Sequence, residues 1–536
     1  MSTQSLAPSP SAASATARAA GRNTLMMMGF VLLSRILGIV RDLVISRLFG
    51  QNDVTDIYTA AFRVPDILAL LVAGGTMASV FVPIFAEYWK DDDPEAQRES
   101  WHIFSSVITI VSLLAALLVV VMEFLNLPLT RLLNPLMNEA SVRETARLSA
   151  ILLPAQWCFF VGGLIMGTLN ARHRFLIPAI GPVVYNGGII LGGLLLHRQM
   201  GIASMTVGAV VGAFAGNFLL PLLELLRTGT RYRPIFDIRH PGVRTFGKNM
   251  LPALIGLSLS QFIFWITPTF LTNDGSISAL RNAYNMTQAP IGIFAQAAAI
   301  VLFPTISVLA ARKRWEEFRN EVSFGIRRIL FLTVPASVLM AVLAQPLFLL
   351  YSGDRFGANE VEVAAAALWC YSLATFAWSA QAVLARGFYA MQDTRTPLII
   401  TTSMVAVFYG LCYLTIHVFH QDYRGIAAAT SLISTLNMAI FLIVLQKKAG
   451  GLNLRGMFDS AWRITLAAGL AGAVAYVVSL PVLARLPHNA LGGLVTLAVA
   501  GGAGLALYIV LCFALRVPEL KTIREMFRRK PAKETA

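Results

Sequence analysis

The chain alternates long apolar stretches with short polar ones, and most of the apolar stretches are about 20 residues long. A helix of that length crosses the hydrocarbon core of a bilayer. The pattern therefore predicts an all-α polytopic membrane protein with 14 transmembrane helices. The predicted spans are 25–47, 57–86, 101–124, 147–170, 176–196, 203–226, 250–271, 281–309, 326–350, 361–388, 398–419, 425–446, 461–484 and 490–515.

The basic residues test this count, because lysine and arginine accumulate in cytoplasmic loops. With the N-terminus placed in the cytoplasm, 27 of the 43 lysines and arginines fall in the tails and cytoplasmic loops, 6 fall in the opposite loops, and the other 10 lie within the predicted spans. This bias predicts an even number of spans and two cytoplasmic termini. Topology and contact with anionic lipid headgroups then account for the net charge of +15, so membrane lipids are expected partners and nucleic acid is not.

Composition agrees with this interpretation. Hydrophobic residues make up 56% of the 536 positions and charged residues only 13%, whereas soluble domains carry about 25% charged residues. A soluble enzyme of several domains is therefore excluded. The four cysteines all lie in apolar stretches, which argues against a disulfide framework or a thiolate metal site. The Ser/Ala/Pro-rich N-terminus has no apolar core of a signal peptide, and we expect a disordered cytoplasmic tail.

Prolines and glycines recur in the two halves of the chain at a spacing of about 220 residues. Six spans separate the copies, and an even number preserves their orientation, so we predict two parallel six-helix lobes plus two C-terminal helices. Transporters built from such repeats bind their substrate between the halves. The matched pairs are Pro65 and Pro290, Pro83 and Pro304, Pro178 and Pro397, and Gly201 and Gly425.

The predicted organisation follows from the spans and the repeat. It comprises a disordered tail (1–24), an N-lobe (25–226), a basic cytoplasmic linker (227–249), a C-lobe (250–446), the last two spans (447–515) and a basic cytoplasmic tail (516–536).

Charged residues interrupt the first two spans. A charge at membrane depth costs about 3 kcal/mol or more, so it normally faces a protein interior or a wet cavity. Arg35 and Asp42 lie within about 20° of each other on a helix, with Arg41 about 100° away. Arginine donates paired hydrogen bonds to phosphate and stays charged, so this sector predicts an anionic, phosphorylated ligand. The alternative is internal pairing of Arg35 or Arg41 with Asp42 or Asp56.

In the second span, pairing of Arg63 with Asp66 is the favoured interpretation, because both lie near its edge. Gly74, Gly75 and the repeated prolines would bend helices that line a cavity. Close helix packing explains the two glycines equally well.

No catalytic or metal-binding motif is recognised in the sequence. We therefore predict a transporter and not an enzyme, with no cofactor and no metal, driven by an ion gradient, the membrane potential or the substrate gradient. A membrane enzyme acting on polyprenyl phosphates would need an acidic cluster at the membrane surface. Asp91 to Asp93 is the one candidate, and we interpret it as a solvated loop.

The charged stretch of the first spans resembles the bacterial lipid II flippase (MurJ/MviN) family, within the multidrug/oligosaccharidyl-lipid/polysaccharide exporter superfamily. The resemblance implies a multi-pass protein of the bacterial inner membrane in peptidoglycan biosynthesis, which maintains cell shape. It would carry an undecaprenyl-pyrophosphate-linked precursor to the outer leaflet by alternating access. The motifs are Ser34-Arg-Ile-Leu-Gly-Ile-Val-Arg-Asp42, Arg47-Leu-Phe-Gly50, Thr55-Asp56, Arg63-Val-Pro65, Phe81-Val-Pro83 and Phe388-Tyr-Ala-Met-Gln-Asp-Thr-Arg-Thr-Pro397.

The same resemblance implies roles for particular residues and partners. Arg35, Arg41 and Arg63 would bind the substrate in a cationic cavity, and the last two spans would hold its lipid tail. A monomer is expected, with other cell-wall synthesis proteins as further partners and with coupling to the membrane potential or a monovalent cation. The expected gating or structural residues are Asp42, Asp56, Pro65, Gly74, Gly75, Asn285 and Gln288.

The sequence also departs from the family pattern. Basic or acidic residues are expected where Ala69, Gly74, Asn285 and Gln288 stand, and all four are uncharged. Loss of both signs keeps the charge balance but removes the expected gating ion pairs. An exporter of another polyprenyl-linked oligosaccharide is therefore the first alternative. A drug/cation antiporter is less favoured, because its cavity would need carboxylates.

Overall fold

The computed structural model describes residues 29–30, 33–71, 81–82, 84–85, 87–89, 93–172, 174–230, 232–258, 266–271, 275–353 and 356–520. Within these residues the chain is helical, and an isolated bridge between Gly353 and Phe356 is the only β-pairing. The tail expected over 1–24, the glycines Gly74 and Gly75, and residues 521–536 lie outside the described residues.

The helices are labelled in chain order. Short π-helical segments lie within α7, α14 and α17, and one more (Ile291–Gln296) joins α9 to α10. The helices are α1 (33–49), α2 (Asp53–Ala61), α3 (Arg63–Leu71), α4 (Pro94–Leu133), α5 (Glu139–Ala171), α6 (Leu176–Met200), α7 (Ala203–Arg227), α8 (Pro241–Ser258), α9 (Ser276–Pro290), α10 (Ala297–Ala311), α11 (Trp315–Val342), α12 (Ala344–Leu349), α13 (Ala358–Ala390), α14 (Arg395–Val418), α15 (Tyr423–Lys448), α16 (Leu454–Arg485) and α17 (Ala490–Ala514).

Among the described residues, ten helices are long and apolar enough to cross a membrane: α4–α7, α11 and α13–α17. Each coincides with one predicted span. The ten helices extend beyond most of the predicted boundaries, because apolar windows miss polar end turns such as the first turns of α4. The prediction of an all-α membrane protein is confirmed at this level.

The predicted span 57–86 is interrupted in the structure. Helix α2 ends at Ala61, Phe62 is not helical, and α3 begins at Arg63. Pro65 explains the break, because proline fits the first turn of a helix and lacks the N–H that a continuous helix would need. The predicted span 326–350 is likewise divided at Leu343, three residues before Pro346.

The described residues form two compact units. The first contains those of 1–44, 60–132 and 139–258. Its helices α6 and α7 pack backbone to backbone, because glycines at their contact leave room for close approach. A methyl group on Gly208 would lie 2.4 Å from the carbonyl oxygen of Gly188, and one on Gly192 would lie 2.6 Å from that of Ser204.

The second unit contains the described residues of 45–59, 133–138 and 259–536. The π-helical segment Ile291–Gln296 and helices α10, α11, α13 and α15 enclose an apolar core, in which Phe318, Phe388 and Phe441 are buried. Helices α16 and α17 pack on α11 through a separate cluster around Phe331, Ile464 and Tyr508. The hydroxyl of Tyr508 donates to the Phe331 carbonyl at 2.7 Å.

Candidate functional site

Arg41 on α1 lies in a polar network of the first unit. Its Nε and Nη2 donate to Oδ1 of Asp42 at 3.0 and 2.8 Å, and its Nη1 donates to Oδ1 of Asn186 on α6 at 3.1 Å. Nδ2 of Asn186 donates in turn to the Pro182 carbonyl, which orients the amide. The Arg41 side chain is 18% exposed and that of Asp42 5%. The internal ion pair weighed from the sequence is therefore present, and the guanidinium stays partly accessible.

The other two arginines predicted to bind substrate have contrasting environments. Arg35 is exposed, although its helical position was expected to share a face with the buried Asp42. Arg63 is 5% exposed at the start of α3, while Asp66, one turn later, is exposed. The described part of α1 within this unit thus carries two arginines and one aspartate, of which Arg41 and Asp42 pair with each other.

Asp56 on α2 is completely buried and caps helix α9 in the second unit. Its Oδ2 accepts from the N–H of Gly275 at 2.8 Å, and its Oδ1 accepts from the N–H and the hydroxyl of Ser278. Gly275 is the N-cap residue with φ +90° and has no side chain to offer. A carboxylate at this end also complements the positive end of the helix dipole. Asp56 thus joins two segments 219 residues apart.

Helix α9 carries three polar side chains on one face. Arg281, Asn285 and Gln288 follow at the spacing of successive helical turns, and all three are half-buried. Nη1 of Arg281 donates to Oγ1 of Thr59 at 3.1 Å, and the guanidinium lies 5.9 Å from the Tyr58 ring centroid. The guanidinium of this face is thus held by α2.

A groove of about 630 Å³ runs along α16. It lies on the face opposite the residues that pack on α11. It is lined by the small residues Ala461, Thr465 and Gly469 and by large apolar side chains, among them Phe458 and Trp462, which are 74% and 45% exposed. An acyl or polyprenyl chain matches such a surface chemically. No group of three or more His, Cys, Asp or Glu in the described part of the chain is placed to hold a metal ion.

Two polar residues in the helices were missed in the sequence. Asn186 interrupts an apolar stretch, and an amide at such a position needs a partner, which was the available signal. Arg386 is half-buried one turn before the end of α13 and lies within the predicted span 361–388. Pro65 is buried in the first turn of α3.

Comparison with known proteins identifies the family. The model of the family described as "Lipid II flippase MurJ" matches residues 45–488. A probable lipid II flippase MurJ of Vibrio cholerae is 29% identical over 531 residues, which covers 94% of this chain and 98% of that protein. One of Haemophilus influenzae is 30% identical over 426 residues, covering 76% and 82%.

Solved structures share the fold. "Lipid II flippase MurJ, inward closed conformation" matches with a TM-score of 0.73 at 21% identity, over 94% of this chain and 100% of that one. An inward-facing multidrug resistance MATE family transporter of the MOP superfamily gives 0.66 at 14% identity, over 78% and 94%. The resemblance drawn from the motifs is confirmed. The chain is a multi-pass protein of the bacterial inner membrane, and it belongs to the MurJ family of lipid II flippases.

Proposed function

We propose that the chain moves lipid II, the polyprenyl-pyrophosphate-linked peptidoglycan precursor, from the inner to the outer leaflet of the cytoplasmic membrane. The observation that carries the proposal is the family match over residues 45–488. Relatives from Vibrio cholerae and Haemophilus influenzae are named as probable lipid II flippases. The process relocates a lipid and makes no covalent bond, so the chain is a transporter and not an enzyme.

The proposed architecture has 14 spans in two parallel lobes, two additional C-terminal helices and both termini in the cytoplasm. Support comes from the ten long apolar helices and from helical segments at the other four predicted spans, namely α1, α2–α3, α8 and α9–α10. Gly229 and Gly450, about 220 residues apart at the ends of α7 and α15, both have φ +76°. This correspondence favours a duplicated backbone.

Arg35, Arg41 and Arg63 form the proposed binding site for the pyrophosphate. Arg41 is held by Asp42 and Asn186, so little side-chain freedom remains to be lost when an anion binds. Its partial exposure leaves room for an additional acceptor. Asp42 balances one guanidinium, and the exposed Arg35 supplies charge for the ligand. Arg63 is desolvated, which strengthens its interaction with any anion that reaches it.

Asp56 is proposed to act in gating. Its carboxylate holds the start of α9 by hydrogen bonds to Gly275 and Ser278. Opening at this end would need these bonds to break, and a buried carboxylate without partners is costly. The arrangement in which Asp56 holds the start of α9 is therefore favoured until substrate binding offsets the free energy lost with these hydrogen bonds. Pro65, Asn285 and Gln288 are proposed to bend or line the moving helices, while Gly74 and Gly75 lie outside the described residues.

The groove on α16 is proposed to hold the polyprenyl tail. Its lining of small and large apolar side chains suits a chain of methyl-branched isoprene units. Binding of the lipid tail would then be the function of α16 and α17, the two helices beyond the predicted repeat. No cofactor is proposed, and transport would draw on the membrane potential or a monovalent cation. The proposed protein acts as a monomer, with other cell-wall synthesis proteins as further partners.

Export of another polyprenyl-linked oligosaccharide is the second candidate. The observation that favours it is that Asn285 and Gln288 on α9 and Ala69 on α3 are uncharged, where the family pattern has charges. Depletion of the protein in its native host distinguishes the two candidates. Lipid II accumulates if the first is right, and a different polyprenyl-linked glycan accumulates if the second is right.

Replacement of Arg41 tests the site. We expect Arg41→Ala to lower the flipping rate by roughly tenfold or more, because one charge-assisted hydrogen bond contributes about 1.5–3 kcal/mol. The measurement is growth of a flippase-depleted bacterium, with lipid II in each leaflet quantified. Arg143→Ala, which removes an exposed arginine paired with Glu139, is the matched control and should grow normally. Normal growth with Arg41→Ala at a normal membrane level would refute the site.

A further inference from the structure

In the segment between α7 and α8 (228–240), the described residues, 228–230 and 232–240, lie against the first half of α4. The backbone N–H of Arg233 donates to Oγ of Ser105 at 3.2 Å, and the hydroxyls of Tyr232 and Thr109 are 3.3 Å apart. This segment, the first linker, is therefore fixed along one side of α4 before it reaches the start of α8.

Two imidazole–carboxylate pairs join the end of the first linker to α4. Nε2 of His102 lies 3.1 Å from Oδ2 of Asp237, and Nε2 of His240 lies 3.4 Å from Oε1 of Glu99. The two imidazole centroids are 5.5 Å apart. The pKa of the Asp237 carboxyl lies below its ordinary value, first because His102 donates a hydrogen bond to it and next because the backbone N–H of Arg239 does so.

His240 occupies the N-cap position of α8. The helix begins at Pro241, and proline is favoured as a first helical residue. Nδ1 of His240 accepts from the backbone N–H of Gly242 at 3.1 Å, in the way that N-cap side chains do. A backbone N–H can only donate, so this Nδ1 carries no proton. The Nε2 proton remains available for Glu99, and the observed geometry is that of a neutral imidazole.

Protonation of His240 opposes this geometry in two ways. It turns the acceptor Nδ1 into a donor facing another donor, and it places a positive charge at the positive end of the helix dipole. A charged His102 at 5.5 Å would add like-charge repulsion. Glu99 is the opposing charge, but its side chain is 51% exposed and therefore well screened. Two other titratable groups among the described residues also lie close by, namely Asp237, held by His102, and Tyr88, whose ring centroid is 5.9 Å from that of His240.

We propose that His240 is a proton-sensitive cap of α8, and that acidification on its side of the membrane releases the first turn of α8 from the first linker. Nδ1 accepts from the N–H of Gly242 only while it carries no proton, so the cap is present when His240 is neutral and is lost when His240 is protonated. Helix α8 packs against α3, and Phe246 lies 6.1 Å from Phe81. Release would therefore loosen the helix that carries Arg63.

Hydrogen exchange of the purified full-length protein tests the proposal, with an internal control in the same chain. Helix α16 is capped by Asn453, whose Oδ1 accepts from the N–H of Gly456 at 2.9 Å and does not titrate. Protection factors correct for the intrinsic effect of pH on exchange. We expect protection of the first turn of α8 to fall roughly fivefold from about pH 7.5 to about pH 5, relative to the first turn of α16.

The variant His240→Asn sharpens the test, because asparagine caps helices well and carries no titratable proton. It should keep the first turn of α8 equally protected at both pH values. An unchanged ratio between α8 and α16 in the unaltered protein would overturn the proposal, and so would an equal acid-induced loss in His240→Asn. If the variant does not fold, the comparison within the unaltered protein decides alone.

Discussion

Two linkers of this protein share two backbone features and end in helix caps of different chemistry. The first linker follows α7, and the second linker, residues 449–453, follows α15. Each contains a glycine with φ +76°, Gly229 in one and Gly450 in the other. Ser105 on α4 accepts a backbone N–H of the first linker at 3.2 Å, and Ser323 on α11 accepts one of the second at 3.3 Å. Both linkers thus begin with a left-handed glycine and donate a backbone N–H to a serine of a neighbouring helix.

The caps at the ends of the two linkers differ. The first linker ends in His240, whose capping atom is an imidazole nitrogen that can bind a proton, and the second ends in Asn453, whose capping amide oxygen cannot do so near neutral pH. A backbone arrangement can therefore be kept while the side chain that serves it changes. One linker becomes sensitive to pH and the other remains indifferent to it.

Two arginines contact the beginnings of the linkers, and we expect their replacement to have the largest effect on the free energy of unfolding. Arg172 donates to the Thr228 carbonyl at 3.2 Å and lies 4.6 Å from the Trp89 ring and 5.7 Å from that of Trp101. Arg319 donates to the Gly450 carbonyl at 3.0 Å. We expect Arg172→Ala to lower the free energy of unfolding by about 2 kcal/mol, because it loses two cation–π contacts and a hydrogen bond.

The matched variant Arg319→Ala should lose about 1 kcal/mol, since its hydrogen bonds to the linker carbonyls are the main loss. SDS denaturation of the purified protein in mixed micelles measures both. Equal losses for the two variants would mean that the tryptophans add nothing, and the two linkers would then start in the same way.

We expect replacement of the left-handed glycines of the two linkers to have a smaller effect on the free energy of unfolding. Gly229→Ala and Gly450→Ala each place a side chain at φ +76°, which costs about 1 kcal/mol. A methyl group at Gly450 would also lie 3.2 Å from Nη1 of Arg319, whereas Gly229 has nothing within 4 Å. We expect the loss in the free energy of unfolding to be greater for Gly450→Ala. A greater loss for Gly229→Ala would contradict the assigned backbone.

The elements were predictable from the sequence where a single physical requirement dominates. The uniformly apolar helices α4–α7 and α13–α17 must match the bilayer thickness, so their positions follow from composition. The break before α3 was not placed, because Pro65 indicates a bend without indicating which preceding residue leaves the helix. Likewise, the pattern does not show that α11 ends eight residues before its predicted boundary at 350.

The candidate site was predictable in its residue types and not in its partners. Arg41 and Asp42 attract attention as charges in an apolar helix. Asn186 joins them from 145 residues away, and no local pattern points to it. Asp56 was predicted to act in gating, and its hydrogen bonds to the start of α9 depend on a tertiary contact across 219 residues. Local periodicity carries no information on such pairs.

We expect the smallest effect on the free energy of unfolding from two ion pairs. The basic residue comes first in the chain in one pair and second in the other. Nη1 of Arg174, before α6, donates to Oε1 of Glu224 near the end of α7 at 2.7 Å. Asp393, before α14, pairs with Lys448 at the end of α15. We expect the double exchange Arg174→Glu with Glu224→Arg to leave the free energy of unfolding within about 0.5 kcal/mol of its original value, since the pair is half-exposed and acts through charge alone. SDS denaturation again measures it.

The same exchange at Asp393 and Lys448 should lose about 1 kcal/mol, because Asp393 has a second task. Its Oδ1 accepts from the backbone N–H of Thr396 at the start of α14, and Oδ2 accepts from the Thr396 hydroxyl. A lysine there can only donate, so the helix loses its cap.

Burial alone would raise the pKa of the Asp393 carboxyl, but the bonds from Lys448 and Thr396 lower it to about 2. The stabilisation is therefore complete above the ordinary carboxyl pKa of about 4 and is lost as the pH falls towards about 2. Asp393→Asn keeps an acceptor for the cap and removes the charge, so it should cost less than the exchange and abolish this acid dependence. Equal tolerance of both exchanges would show that Asp393, like Arg174, contributes only a charge.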